Sequence, residues 1–190
     1  MVTLAQILTV GALLIVPGPT NILLAASGAA GGARAGLPLG VAAATGYLVA
    51  VTLLTAVAGP ALTGHPLLPL LLKAAATVWL LVCAVRLWRN PSTLSASPGR
   101  VGAAAIFLTT LLNPKALVFA LALAPADAAE LPGFLAALAT LTVMACMAWA
   151  GLGSLAARGL AGRVTVDGLN KGGAVVLTGF AAALGVSALG

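Results

Sequence analysis

Long apolar runs set off by short polar punctuation make up nearly the whole chain. Six can be marked: Leu4 to Ala26, Leu37 to Ala58, Leu67 to Leu87, Val101 to Ala124, Gly133 to Ala157 and Gly172 to Leu189. A helix needs about 20 apolar residues to cross a bilayer, and Gly36 to Leu62 meets that length without one charge. Gly59-Pro60 and Gly64-His65-Pro66 mark a turn between the second and third runs. Pro125 to Pro132, with Asp127 and Glu130, divides the fourth from the fifth. The longest polar stretch, Arg89 to Arg100, holds Asn90-Pro91-Ser92 and Ser95 to Gly99 and reads as a flexible linker. Three runs lie on each side of it, so the halves must enter the membrane with opposite orientation, the layout of an inverted repeat. The expected fold is an all-α membrane protein: six transmembrane helices as two inverted three-helix repeats, about 1–90 and 100–190, in one transmembrane domain over 1–190.

Charge orients this layout. The connections after runs one, three and five carry Arg34, then Arg86, Arg89 and Arg100, then Arg158, Arg163 and Lys171; those after runs two and four carry only His65 and two acids. Lys and Arg are retained in cytoplasmic loops, which places both termini outside. Composition agrees, with 62% hydrophobic residues, only 6% charged and a mean hydropathy of +1.17, where a soluble domain carries about 25% charged residues. The net charge of +6 is spread singly and without aromatic interleaving, so it does not describe a nucleic-acid surface. Cys83 and Cys146 fall inside apolar runs and are expected as core thiols. Met1 to Gln6 has no Lys or Arg, so the first run is expected to be a span and not a cleaved signal peptide.

Two of the runs are interrupted. Pro17-Gly18-Pro19 lies 13 residues after Leu4, and Asn113-Pro114-Lys115 has its proline 13 residues after Val101; Pro17 to Gly36 and Pro114 to Gly133 both span 19 residues. Proline removes a donor and clashes with the carbonyl four residues back. In hydrocarbon the freed carbonyls cost several kcal/mol unless protein or trapped water meets them, so broken backbone belongs where it is buried in protein or lines a cavity. Half-helix ends there offer partial charges to a polar substrate, and Asn21 and Asn113 add amides at the same depth. A single kink is ordinarily structural; a matched pair bearing Asn and Lys points to a site. Lys115 sharpens that reading, because a mid-membrane Lys costs about 2.5–3.5 kcal/mol and faces a cavity or a partner. No carboxylate lies at its depth, leaving freed carbonyls, water or a substrate carboxylate. Lys73, six residues into its run, can snorkel outward.

Other features carry less. Gly28, Gly32, Gly36 and Gly40, continued by Ala44, recur every four residues around the first loop and are expected to let helices approach closely. Trp88 beside Arg86 and Arg89 reads as an interfacial anchor, while Trp79 and Trp149 read as packing residues. Tyr47, next to Gly46, is expected either to present its hydroxyl to a central cavity or simply to pack. One His and no intramembrane acid leave little from which to build a metal site or a nucleophile–base pair. Neither enzyme activity nor a cofactor is expected.

Val16-Pro17-Gly18-Pro19-Thr20-Asn21 and Leu111-Leu112-Asn113-Pro114-Lys115-Ala116 resemble the LysE/RhtB family of amino-acid exporters. Leu72-Lys73, Trp79-Leu80-Leu81 and Arg86 look like its third helix, and Leu169-Asn170-Lys171-Gly172-Gly173 like the start of its last. The resemblance implies export of amino acids or related metabolites from the bacterial cytoplasm, driven by membrane potential or a proton gradient. It implies a substrate site of Pro17, Gly18, Pro19, Asn21, Asn113, Pro114 and Lys115, to which Tyr47 is added from its position. Many members have an Asp after the glycine where this chain has Gly46-Tyr47, so a carboxylate substrate with little positive charge is favoured over a cationic amino acid. The expected partners are the bilayer and a small-molecule carboxylate; homo-oligomerisation is compatible with this layout and nucleic acid is not. The rival functions are an inorganic-ion exporter on a related scaffold, a membrane-embedded enzyme and a non-transporting membrane subunit. The first lacks the Asp, Glu, His or clustered Cys it would need, and the last would leave the matched breaks without purpose.

Overall fold

The computed structural model describes residues 2–64, 67–89, 102–159, and, near the end, 171, 174–175, 177–179, 181–182 and 185–186. The linker at 90–100, His65, and the side chains of Lys73, Trp79, Cys83 and Arg86 lie outside this set. Among the described residues there is no strand. The first half contains α1 (Leu4–Ile15), α2 (Pro19–Gly31), a 3₁₀ turn (Ala33–Ala35), α3 (Gly36–Gly64) and α4 (Leu68–Arg89). The second contains α5 (Ala103–Leu111), α6 (Pro114–Val118), which continues as a π turn over Phe119–Leu123, and α7 (Leu131–Ala157). The described residues between 171 and 186 are helical as well.

Burial is inverted relative to a soluble protein. Leu112 is 80% exposed, and Leu4, Leu8, Ile15, Leu53 and Met144 are exposed too, whereas Thr20, Asn21, Thr110, Asn113 and Lys115 are buried. An apolar solvent around the molecule explains this, because polar groups must then find partners inside. Among the described residues two helices are long and apolar enough to cross a membrane, Ala33–Ala56 and α7; each of the bent pairs α1–α2 and α5–α6 makes one more if counted as a single span. At 22 residues and about 1.5 Å per residue, α4 is also long enough.

Both predicted breaks are real, with bends of 62° between α1 and α2 and 52° between α5 and α6. Their construction differs from the expectation in one respect. Neither Pro19 nor Pro114 interrupts a helix from within. Each begins the second half-helix, behind an extended N-cap residue, Gly18 and Asn113 respectively. At that position the missing N–H would have no intrahelical partner anyway. The structural counterpart of Pro114 is therefore Pro19, and Pro17 belongs to the unwound link.

Glycine sets how closely the halves approach. A Cβ on Gly28 would fall on the Ala150 carbonyl oxygen, and one on Gly153 would fall on that of Ala25. The helices α2 and α7 thus cross with backbone against backbone, in reversed order. Gly36 and Gly40 meet α7 further along, at Met147 and Ala150 and then at Val143 and Cys146; Gly46 meets Phe107 and Thr110 on α5. Of the four glycines in that series, Gly32 makes no such approach. Gly32 has φ +79° and turns the chain between α2 and the 3₁₀ turn. Toward the other end of α7, Val2, Gln6 and Val10 face Phe134, Leu138 and Leu141. Gln6 there donates from Nε2 to the Leu123 carbonyl at 3.0 Å, joining α1 to the π turn of the second half.

Candidate functional site

Among the described residues two apolar clusters fill the interior. One gathers Val10, Leu13, Leu14 and Val16 with Tyr47, Val51, Phe119 and Phe134; the other gathers Leu24, Leu39, Ala43, Ile106, Cys146 and Trp149. Along the chain the polar residues of both breaks fall between members of the two clusters, Thr20 and Asn21 between Val16 and Leu24, Thr110 and Asn113 between Ile106 and Ala116. A polar layer so placed has no water to fall back on, so its hydrogen bonds must close among themselves.

They do so, and largely across the halves. Where α1 ends, its last carbonyls lose their intrahelical donors. Asn21 answers from the next half-helix, its Nδ2 donating to Leu14 O at 2.8 Å and Val16 O at 2.7 Å. Val16 O takes a second bond from the other half, Lys115 Nζ at 2.7 Å. The Lys115 side chain, 8% exposed, therefore lies over the first break, and a Cβ on Gly18 would sit 3.5 Å from its Nζ. At the second break Asn113 caps α6, its Oδ1 accepting from Lys115 N at 3.0 Å, while its Nδ2 donates to Thr20 Oγ1 at 3.3 Å. Thr20 Oγ1 is 3.3 Å from Thr110 Oγ1, whose own proton goes to Ile106 O at 2.8 Å. With that proton committed, Thr20 must be the donor to Thr110. A directed chain results, from the Asn113 amide through Thr20 and Thr110 to the α5 backbone. No buried side-chain nitrogen or oxygen among the described residues is left without a partner.

The structure brings Gly18, Asn21, Asn113 and Lys115 together around the crossed breaks, with Pro19 and Pro114 supplying the first turns of the half-helices behind them. Pro17 lies in the link between Val16 and Gly18. Tyr47 is buried against Phe119, ring centroids 5.2 Å apart and nearly perpendicular, so its ring packs α3 onto the π turn after the second break. Neither the cavity between α1 and α7 nor that between α4 and the last helix touches the break residues. Sequence reasoning passed over Thr20, Thr110 and the Val16 carbonyl. A hydroxyl inside an apolar helix ordinarily spends its proton on its own preceding turn, as Thr142 does on Leu138 O. Only the closeness of Thr20 and Thr110 to the prolines could have marked them out.

The LysE type translocator family model matches residues 12–188, a stretch that includes both breaks. The chain belongs to that family. No curated protein and no solved structure matches it. As a LysE type translocator it is an all-α membrane protein whose family are transporters and not enzymes. In this family member the crossed breaks place a buried cation and two amides at the junction of the halves, an arrangement able to hold a small polar group out of water.

Proposed function

We propose that this translocator is a secondary exporter of small amino acids or related carboxylates across the bacterial plasma membrane. It would cross six times, as two inverted three-helix repeats, with both termini outside. Its substrate would sit at Gly18, Asn21, Asn113 and Lys115, between the half-helices begun by Pro19 and Pro114 and beside the Pro17 link, with Tyr47 bracing the wall. The observation that carries this is the Lys115 ammonium, buried and donating to the Val16 carbonyl of the opposite half. For an ammonium donor a carboxylate is a stronger acceptor than a peptide carbonyl, since it adds the attraction of a full opposite charge in a site shielded from bulk water. An incoming carboxylate would therefore take Lys115 from Val16 O, while Asn21 still satisfies that carbonyl. Substrate binding would then break a direct tie between the halves. That supplies the differential interaction which any ligand-driven change of state requires, and it couples occupancy to movement of one half against the other. In the state described here the polar layer is closed on itself.

The test is efflux. Cells with and without the protein are loaded with a panel of radiolabelled amino acids, and retention is followed with native Lys115 and with Lys115→Met. Export of at least one acid by the native protein, lost in the variant, is expected. Equal retention of every acid with and without the protein would overturn the reading.

A further inference from the structure

Away from the crossed breaks, a cavity of about 490 Å³ opens between α4 and the last helix. On the α4 side its wall is Leu81, Ala84, Val85 and Trp88, the i, i+3, i+4, i+7 stripe of one helix face. Opposite stand Ala174, Val175 and Thr178. The Thr178 hydroxyl is already spent on Ala174 O at 2.9 Å, so the walls offer an occupant almost nothing but hydrocarbon. One end differs. Trp88 is 55% exposed, Arg89 follows it as the exposed last residue of α4, and Lys171 is exposed. Gly185 lies against Thr77, while Ala174 and Val175 share the cavity with Leu81 to Trp88, so this segment runs back along α4 and Lys171, three residues before Ala174, comes at the Trp88 end. An apolar slot with an interfacial Trp at one end, and exposed cations one turn or less beyond its lining, matches an acyl chain beneath a phosphate headgroup, and basic pockets between transmembrane helices bind such headgroups.

We propose that this groove is a binding site for an anionic phospholipid, its acyl chain along Leu81, Val85 and Val175 and its phosphate at Arg89 and Lys171. A second copy of the chain is the less suitable occupant. Two-fold packing through this face would bring the Arg89 and Lys171 pairs of both copies together at one depth, and like charges in contact are repulsive.

The full chain, with Trp79→Phe and Trp149→Phe so that Trp88 alone emits, is reconstituted into phosphatidylcholine vesicles. Increasing fractions of phosphatidylglycerol or phosphatidylcholine with brominated acyl chains are then included. Brominated phosphatidylglycerol is expected to quench Trp88 at several-fold lower mole fraction than brominated phosphatidylcholine. Arg89→Glu and Lys171→Glu should each reduce that preference about fivefold, as removal of about 1 kcal/mol per cation implies. If the tryptophan variants do not fold, native mass spectrometry of the unaltered protein reads the same preference as retained phosphatidylglycerol, lost in the charge variants. Equal quenching or retention of the two lipids refutes the site, as does a preference unchanged by both charge reversals. Disulfide cross-linking of two copies through Leu81→Cys in the bilayer would also refute it, by seating a second chain in the groove.

Discussion

Replacing Lys115 by Met separates the transport reading from a purely structural one, because the two effects of the change on stability oppose each other. The 2.7 Å bond from Nζ to Val16 O is lost, and a hydrogen bond to a charged group contributes about 1.5–3 kcal/mol. Against this, a neutral side chain at that depth is spared about 2.5–3.5 kcal/mol of insertion cost. Val16 O is not orphaned either, since Asn21 Nδ2 still donates to it at 2.7 Å. The fold should therefore lose no more than about 0.5 kcal/mol and gain no more than about 2 kcal/mol. Substrate binding has no such compensation. Losing the charge-assisted bond to a carboxylate should weaken affinity by about 10- to 100-fold. The assay compares binding of an amino acid and its carboxamide to purified native and Lys115→Met protein, with thermal unfolding of both followed in detergent. The native protein should prefer the free acid and the variant should lose that preference while melting at a similar or higher temperature. Lys115→Arg should recover it only in part, because a guanidinium is wider and fixed in its fork geometry. Equal native affinity for acid and carboxamide, or an undiminished preference in Lys115→Met, would show that Lys115 is not the anchor.

Four further outcomes follow from the geometry. Gly28→Ala and Gly153→Ala each drive a Cβ onto a facing carbonyl, so each should cost about 1–3 kcal/mol and lower the melting temperature in detergent. Gly151→Ala, with nothing within 4 Å of its Cβ, should be neutral, and an equal effect at all three positions would refute the close crossing. Asn113→Ala removes both the α6 cap and the donor to Thr20 and should impair efflux more than Pro114→Ala, which changes a position needing no N–H; the reverse order would sink the directed chain. Tyr47→Phe keeps the ring contact with Phe119 and should transport normally, whereas loss of efflux would assign the hydroxyl to the substrate. With Cys83 and Cys146 replaced, a cysteine at Ala129 should react with an impermeant reagent in intact cells and one at Ser95 only after lysis; reaction of both from one side would overturn the proposed orientation.

What the sequence determined by itself rests on costs that are local to the chain. Apolar length fixes that a segment such as 36–62 enters a bilayer, because each unpaired backbone group there costs several kcal/mol and a helix pairs them all. Pro17-Gly18-Pro19 and Asn113-Pro114 fix where those helices break, because a ring without an N–H cannot sit inside one. Lys115 announces a partner, because an isolated cation at that depth is too costly. Which partner it takes is another matter. That Lys115 reaches Val16 O and not water depends on the two breaks meeting, with the bonded residues 99 positions apart in sequence. The same holds for Thr20 meeting Thr110 across 90 positions, and for Gly153, which carries no signal of its own until Ala25 is laid against it. In each case the deciding energy belongs to a contact between helices. A chain in lipid has little hydrophobic drive to choose such contacts, so packing shape and the pairing of freed polar groups choose them.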